Sequence, residues 1–275
     1  MSLTHWHSHF IDLSPVFEPF RPLAGDIETL SDWPTCQDLE NLMQHVRQEV
    51  STYSGAPVRF VSQENTANDA FEQQYEPRIY LTGEVATRPE SWHDFFNALV
   101  WMTFPHAKAA LNRIHYHALI HATHRNIEKR GPLRDASTLF DESGVIVLSS
   151  QKTLIELLQQ HAWKKVFWEY RKTVLSSMRF MVFGHALHEK ALNPYVGMTG
   201  KGIFFQVEEA FFREALVAQL QVVDRWLTDF LLQKLASNAD LSPIPVLGYP
   251  GWSDENAAAD YYDNAQYFRP LVRTN

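Results

Sequence analysis

Histidines stand beside carboxylates and cations at two widely separated points of this sequence. The first stretch holds Arg88, His93, Asp94 and Asn97, then Lys108, Asn112 and His115. The second holds His185, Glu189 and Lys190, with Lys201 beyond them. Histidine titrates near neutral pH, so a carboxylate that orients the ring equips it for general acid or base work. His93 has Asp94 as its neighbour, and Glu189 lies one helical turn after His185, on the same face. His93, Asp94, His185 and Glu189 are therefore the candidate catalytic residues. The same four donors suit a divalent metal, and nothing in the sequence chooses between the two uses. Neither zincin pattern is met, because HExxH and HxxEH both need a histidine at position 189.

Around these residues lies a set suited to binding an anion. Arg88, Lys108, Lys190 and Lys201 offer charge-assisted hydrogen bonds. At about 100° per residue, Lys108, Asn112 and His115 fall within roughly 60° of one another, bordering the stripe Ala107, Leu111, Ile114 and Ala118. Asn97 shares a helix face with His93. The segment Gly197-Met198-Thr199-Gly200-Lys201-Gly202 reads as a glycine-rich loop ahead of a helix, a weak anion-site pattern. It is not a P-loop, since Gly202 stands where Ser or Thr is required. His117, His121 and His124 point to the polar side of their helix and read as solvated. His5, His7 and His9 alternate at the terminus, where adventitious metal binding is the expectation. Nucleophile-elbow, dinucleotide and EF-hand patterns are absent.

Composition narrows the classes. The 275 residues carry a formal charge of −8, and 45% are hydrophobic against 20% charged. Such a chain folds, and it lacks the basic face that extensive nucleic-acid binding requires. Cys36 is the one cysteine, which excludes an internal disulfide and a cysteine zinc site. Neither a signal peptide nor a run of ~20 apolar residues is evident, so the expectation is a cytoplasmic protein without membrane contact.

The elements that must position these residues read as mainly helical. Prolines 15, 19 and 22 make residues 1–34 an irregular strap. Thr35 caps a helix over 36–53, and short strands are expected at 58–61 and 78–81. Either Thr87 or Ser91 caps the next helix, Pro105 breaks it at 103–104, and a second helix runs to about 130. Residues 133–149 read as a hairpin whose turn holds Asp141 and Glu142. Helices follow at 151–161, 163–177 and 179–192, then a long one within 206–237. The proline- and aromatic-rich segment 239–275 reads as an ordered strap. The expected fold is mainly α, a multi-helix globular core with a small β-hairpin or sheet. One domain spans 1–275, its helical core at 35–238.

Several motifs together resemble a known family. They are Thr87-Arg88, Trp92-His93-Asp94 with Asn97-Ala98-Leu99 and Trp101, Phe104-Pro105 with Lys108, and Asn112. Arg134-Asp135, Leu139-Phe140-Asp141-Glu142-Ser143-Gly144, Phe183-Gly184-His185-Ala186-Leu187 and Pro245-Val246-Leu247-Gly248 continue the match, as does Phe268-Arg269-Pro270. These resemble the proteobacterial family called domain of unknown function 3025; Ser91 departs from it, where the pattern has Asn. The resemblance implies no activity. It does imply that the dispersed clusters from 88 to 201 form one site. Two readings follow: an enzyme hydrolysing a small anionic, phosphate-like substrate by acid–base or metal-assisted chemistry, or a binding or adaptor protein whose polar clusters are structural.

Overall fold

The run Val145-Ile146-Val147-Leu148 is apolar and mostly β-branched, and it becomes the buried centre of a sheet. The computed structural model describes residues 5–46, 48–63, 70–125 and 131–271, the side chains at 124 and 125 excepted. In chain order come α1 (Ala24–Glu28), α2 (Cys36–Gln44), β1 (Arg59–Ser62), α3 (Tyr75–Thr82), β2 (Glu84–Thr87), α4 (Trp92–Thr103), α5 (Pro105–Arg125) and α6 (Pro132–Ser143). They are followed by β3 (Gly144–Ser149), α7 (Lys152–Gln159), α8 (Arg171–Ser177), β4 (Met178–Val182), α9 (His185–Ala191), β5 (Thr199–Gln206), α10 (Leu216–Gln233) and β6 (Ser242–Pro245). Helix dominates. The strands form a parallel pair, β1 with β2, and a four-stranded sheet in the order β4-β3-β5-β6. Within the larger sheet β3 runs parallel to β5 and antiparallel to β4.

Helix ends follow local chemistry. Ser91 caps α4 by accepting from the Asp94 amide at 3.3 Å. Pro105 opens α5, where its missing N–H costs nothing. The buried Asp224 on α10 accepts from the His106 and Ala107 amides at 3.1 and 2.8 Å, so it caps α5 from across the fold. No spacing argument links positions 106 and 224.

The sequence reading needs five corrections, the first being that the helix expected over 36–53 is α2 and stops at Gln44. Residues 133–149 are a helix followed by a strand, because β3 pairs with β4 and β5 rather than with its own N-terminal side. Residues 78–81 belong to α3. The expected helix 179–192 is β4 plus α9, split at Gly184. The glycine-rich loop is largely β5: a Cβ at Gly200 would collide with the Val145 side chain, so that glycine serves close strand packing.

Both straps are ordered over the described residues. Phe10, Phe17 and Phe20 are fully buried, and Trp6 stacks on Trp92 at 5.2 Å. In the C-terminal strap the Tyr267 hydroxyl donates to the Met198 carbonyl at 2.7 Å. Trp252, Tyr262, Tyr267 and Phe268 of this strap are buried. No helix among the described residues is long and apolar enough to cross a membrane.

Candidate functional site

The polar clusters converge because α9 packs across α4 and α6. Gly184 permits this approach: a Cβ there would lie 2.5 Å from the Glu142 carbonyl oxygen and the Gly144 nitrogen. The next residue, His185, is thereby pressed against the C-terminal end of α6, which carries Asp141 and Glu142. Across from it, the first turn of α4 presents His93.

The two imidazoles meet edge to face. His93 Nε2 and His185 Nε2 are 3.1 Å apart, and the ring planes cross at 81°. Behind His93, its Nδ1 lies 3.0 Å from Glu189 Oε2. Behind His185, Nδ1 is buried without a hydrogen-bond partner, 3.9 Å from Asp141 Oδ2. The pair sits in the wall of a cavity of about 440 Å³, lined also by Arg88, Asp94, Asn97, His115, Asp141 and Glu142.

Electrostatics differ sharply within the site. The hydrogen bond to Glu189 raises the His93 pKa against the opposing effect of burial, and the same bond lowers that of Glu189. Burial pulls His185 down to about 4, although Asp141 pushes the other way. Burial would raise the Asp141 carboxyl, but the charges of Lys108 and His185 hold it below its ordinary value. Asp94 is likewise held low: hydrogen bonds from the Arg88 side chain and backbone outweigh its burial.

Each expected site residue has a definite place. Lys108 lies behind the wall, its Nζ 2.6 Å from Asp141 Oδ1 and 2.9 Å from Asn97 Oδ1. Asn97 in turn donates to the Tyr75 hydroxyl at 3.0 Å. Asn112 donates to Glu76, through both its carbonyl and its carboxylate, at 2.9 and 2.8 Å. Asp94 accepts from Arg88 Nε and Nη2 at 2.9 and 2.8 Å, so its oxygens are committed. Lys190 is exposed on α9, and Lys201 lies on β5 opposite Gly144 and Pro243; neither lines the cavity. The expected four-cation cradle therefore does not assemble, because β5 lies along the sheet and not at the cavity mouth. Arg88 and Arg134 are the cations on the wall.

Two groups could hold a metal among the described residues. In one, single donor atoms of His93, His185 and Glu142 lie within 4.8 Å of one another. The other, His9 with Asp12 and Glu28, is wholly exposed. Glu142 thus takes the place expected for Asp94, and Glu189 stands behind His93. Reading 133–149 as a hairpin hid Glu142; continued helical spacing from Leu133 through Ala136 and Ser137 to Phe140 was the available signal. Arg134, Thr138, Tyr75 and Glu76 were missed for the same reason: they line the cavity from helices read as other elements. His117 and His121 are exposed on α5, while the side chain of His124 lies outside the described residues.

A family model described as "Protein of unknown function (DUF3025)" matches residues 58–272, and the chain belongs to that family. No curated protein and no solved structure matches it.

Proposed function

We propose that this member of the DUF3025 family is a hydrolase of a small polar substrate, with the His93–His185 cavity as its active site. One observation carries the reading. Two histidines 92 residues apart are brought nitrogen to nitrogen in the wall of a cavity of substrate size. Such a juxtaposition buries polar groups at a cost, and His185 keeps a ring nitrogen without a partner in the wall of the cavity. Hydrolysis fits the donors present. An imidazole pair, or an ion held by it, activates water, while Asn97 and His115 offer polar contacts to the substrate. An anionic substrate end would meet Arg88 and Arg134, so the anionic preference rests on those two residues.

The test is a panel of chromogenic carboxylic-ester, phosphoester and amide substrates. The expected result is turnover of one class that falls at least 100-fold in both His93→Ala and His185→Ala, a loss in the range typical of general acid–base groups. Turnover unchanged in both variants, or none across the panel, overturns the reading.

A further inference from the structure

We infer that His93 Nε2, His185 Nε2 and the Glu142 carboxylate form a binding site for one divalent first-row transition-metal ion. The inference rests on the same cavity being the functional site and deepens that reading by naming what holds the water.

The tautomers argue first. Glu189 Oε2 sits 3.0 Å from His93 Nδ1, so in the neutral ring that nitrogen carries the proton and Nε2 presents its lone pair to the cavity. His185 Nε2 lies 3.1 Å away. If His185 donates from Nε2, its Nδ1 lone pair is left buried and faces the Asp141 carboxylate at 3.9 Å, two acceptors opposed. A metal between the two Nε2 atoms removes this conflict, since His185 then carries its proton on Nδ1, turned toward Asp141. Carboxylates behind ligating histidines are the usual arrangement in metal sites.

Geometry argues next. Two metal–nitrogen bonds of about 2.0–2.1 Å spanning 3.1 Å subtend roughly 100°, suitable for a tetrahedral or octahedral ion. Glu142 supplies the third donor within 4.8 Å, and its carboxylate makes no hydrogen bond or ion pair among the described residues. The remaining coordination positions face the cavity, where water and substrate enter.

Charge argues last. With Asp94 paired to Arg88 and Asp141 to Lys108, Glu76 and Glu142 remain on the wall with Arg134, a small surplus of negative charge that favours a cation. Two imidazoles and one carboxylate select zinc, iron, cobalt or manganese over magnesium or calcium. An imidazolium at His93 would also satisfy both rings without a metal, and the experiment separates the two.

Full-length protein is stripped with a chelator and titrated with Co(II), following visible d–d absorption, and with Zn(II) by calorimetry. The expected result is one equivalent bound, with magnesium and calcium failing to compete. Glu142→Gln, at a half-buried position that should still fold, and His185→Ala abolish it, each checked for folding by circular dichroism. Glu189→Gln weakens it by about 10–100-fold, and His9→Ala leaves it unchanged. No saturable one-equivalent binding, or binding that Glu142→Gln leaves intact, overturns the inference. Hydrolysis that survives chelation yet vanishes in His93→Ala discards the metal and keeps the hydrolase. One bound Co(II) with no hydrolysis does the reverse.

Discussion

Helices α4 and α9 each belong to two different environments. One side of α4 sends Trp92, Phe95 and Phe96 into an aromatic seam built with Phe10, Phe17 and Phe20 of the N-terminal strap. Its other side sends His93, Asp94 and Asn97 to the polar cavity. On α9 the split recurs between two histidines three residues apart. His185 meets His93, whereas His188 is fully buried against Phe20, with ring centroids 4.4 Å apart, and close to Phe17 and Phe96. The seam gives rigidity through ring packing, and the cavity spends some of that rigidity on holding polar groups near one another. Identical residue types therefore have opposite roles, decided by which face of the helix they occupy.

The largest expected effect tests the seam. Phe96 has no exposed surface and contacts Phe10, Phe17, Phe20, Trp92 and His188. Phe96→Ala should lower the unfolding free energy by about 4 kcal/mol in urea titrations. A loss below about 1 kcal/mol would mean the seam is not what holds α4 in place.

The next tests the cavity's foundation. Lys108 and Asp141 are mostly buried and paired at 2.6 Å. Lys108→Met removes one charge and leaves the other in low dielectric, at an expected cost of about 3 kcal/mol at neutral pH. Adding Asp141→Asn should recover most of that loss. A double variant as unstable as the single would show that packing of the lysine stem, not the charge, is what matters.

These two expectations differ in how far the sequence anticipated them. The α4–α5 corner was legible, because Ser91 and Pro105 act through local backbone chemistry and the apolar stripe has helical period. The pairing of His93 with His185 was suggested by residue type, each having a carboxylate nearby. Glu76 and Tyr75 were not legible, and Glu142 was legible only through the helical spacing of 133–140. Their importance depends on the true course of residues 75–82 and 132–143, and short amphipathic helices beside turn-forming residues mimic strands and hairpins. Lys201 shows the opposite error: a glycine-rich sequence suited to anions was needed for close strand packing.

A smaller effect sharpens the contrast between the two histidines of α9. Burial lowers the His188 pKa to about 3, from an ordinary value near 6.5, outweighing the opposing pull of the Gly184 and Val16 backbone. The folded ring stays neutral while the unfolded one takes up a proton below about pH 6.5. Stability from this residue is thus fully present above that pH and declines as pH falls toward 3, by up to about 1.4 kcal/mol per unit. Between pH 7 and pH 5, His188→Leu should lose about 2 kcal/mol less than the parent chain, read from urea midpoints at both pH values. Parallel losses would show that the seam admits water to the ring.

The smallest effect concerns a third histidine environment, which fixes the baseline for the other two. His117 and His121 lie on the exposed face of α5, turned away from the buried Lys108, Asn112 and His115. Neither makes a hydrogen bond or ion pair among the described residues, and His117 only edges toward the rings of Tyr80 and Tyr116, at 5.8 and 5.4 Å. Water already solvates both imidazoles, so replacing them forfeits little burial and leaves no polar group stranded. The His117→Gln, His121→Gln protein should match the parent within about 0.5 kcal/mol, as surface substitutions do. It should also bind Co(II) with the same stoichiometry, because the cavity lies on the other side of the helix. A stability loss of several kcal/mol would mean that the Tyr80–Tyr116 stack, with centroids 3.9 Å apart, depends on His117. That outcome would move this face of α5 from solvent into the packed structure. The contrast between seam and cavity would then need a third packed surface.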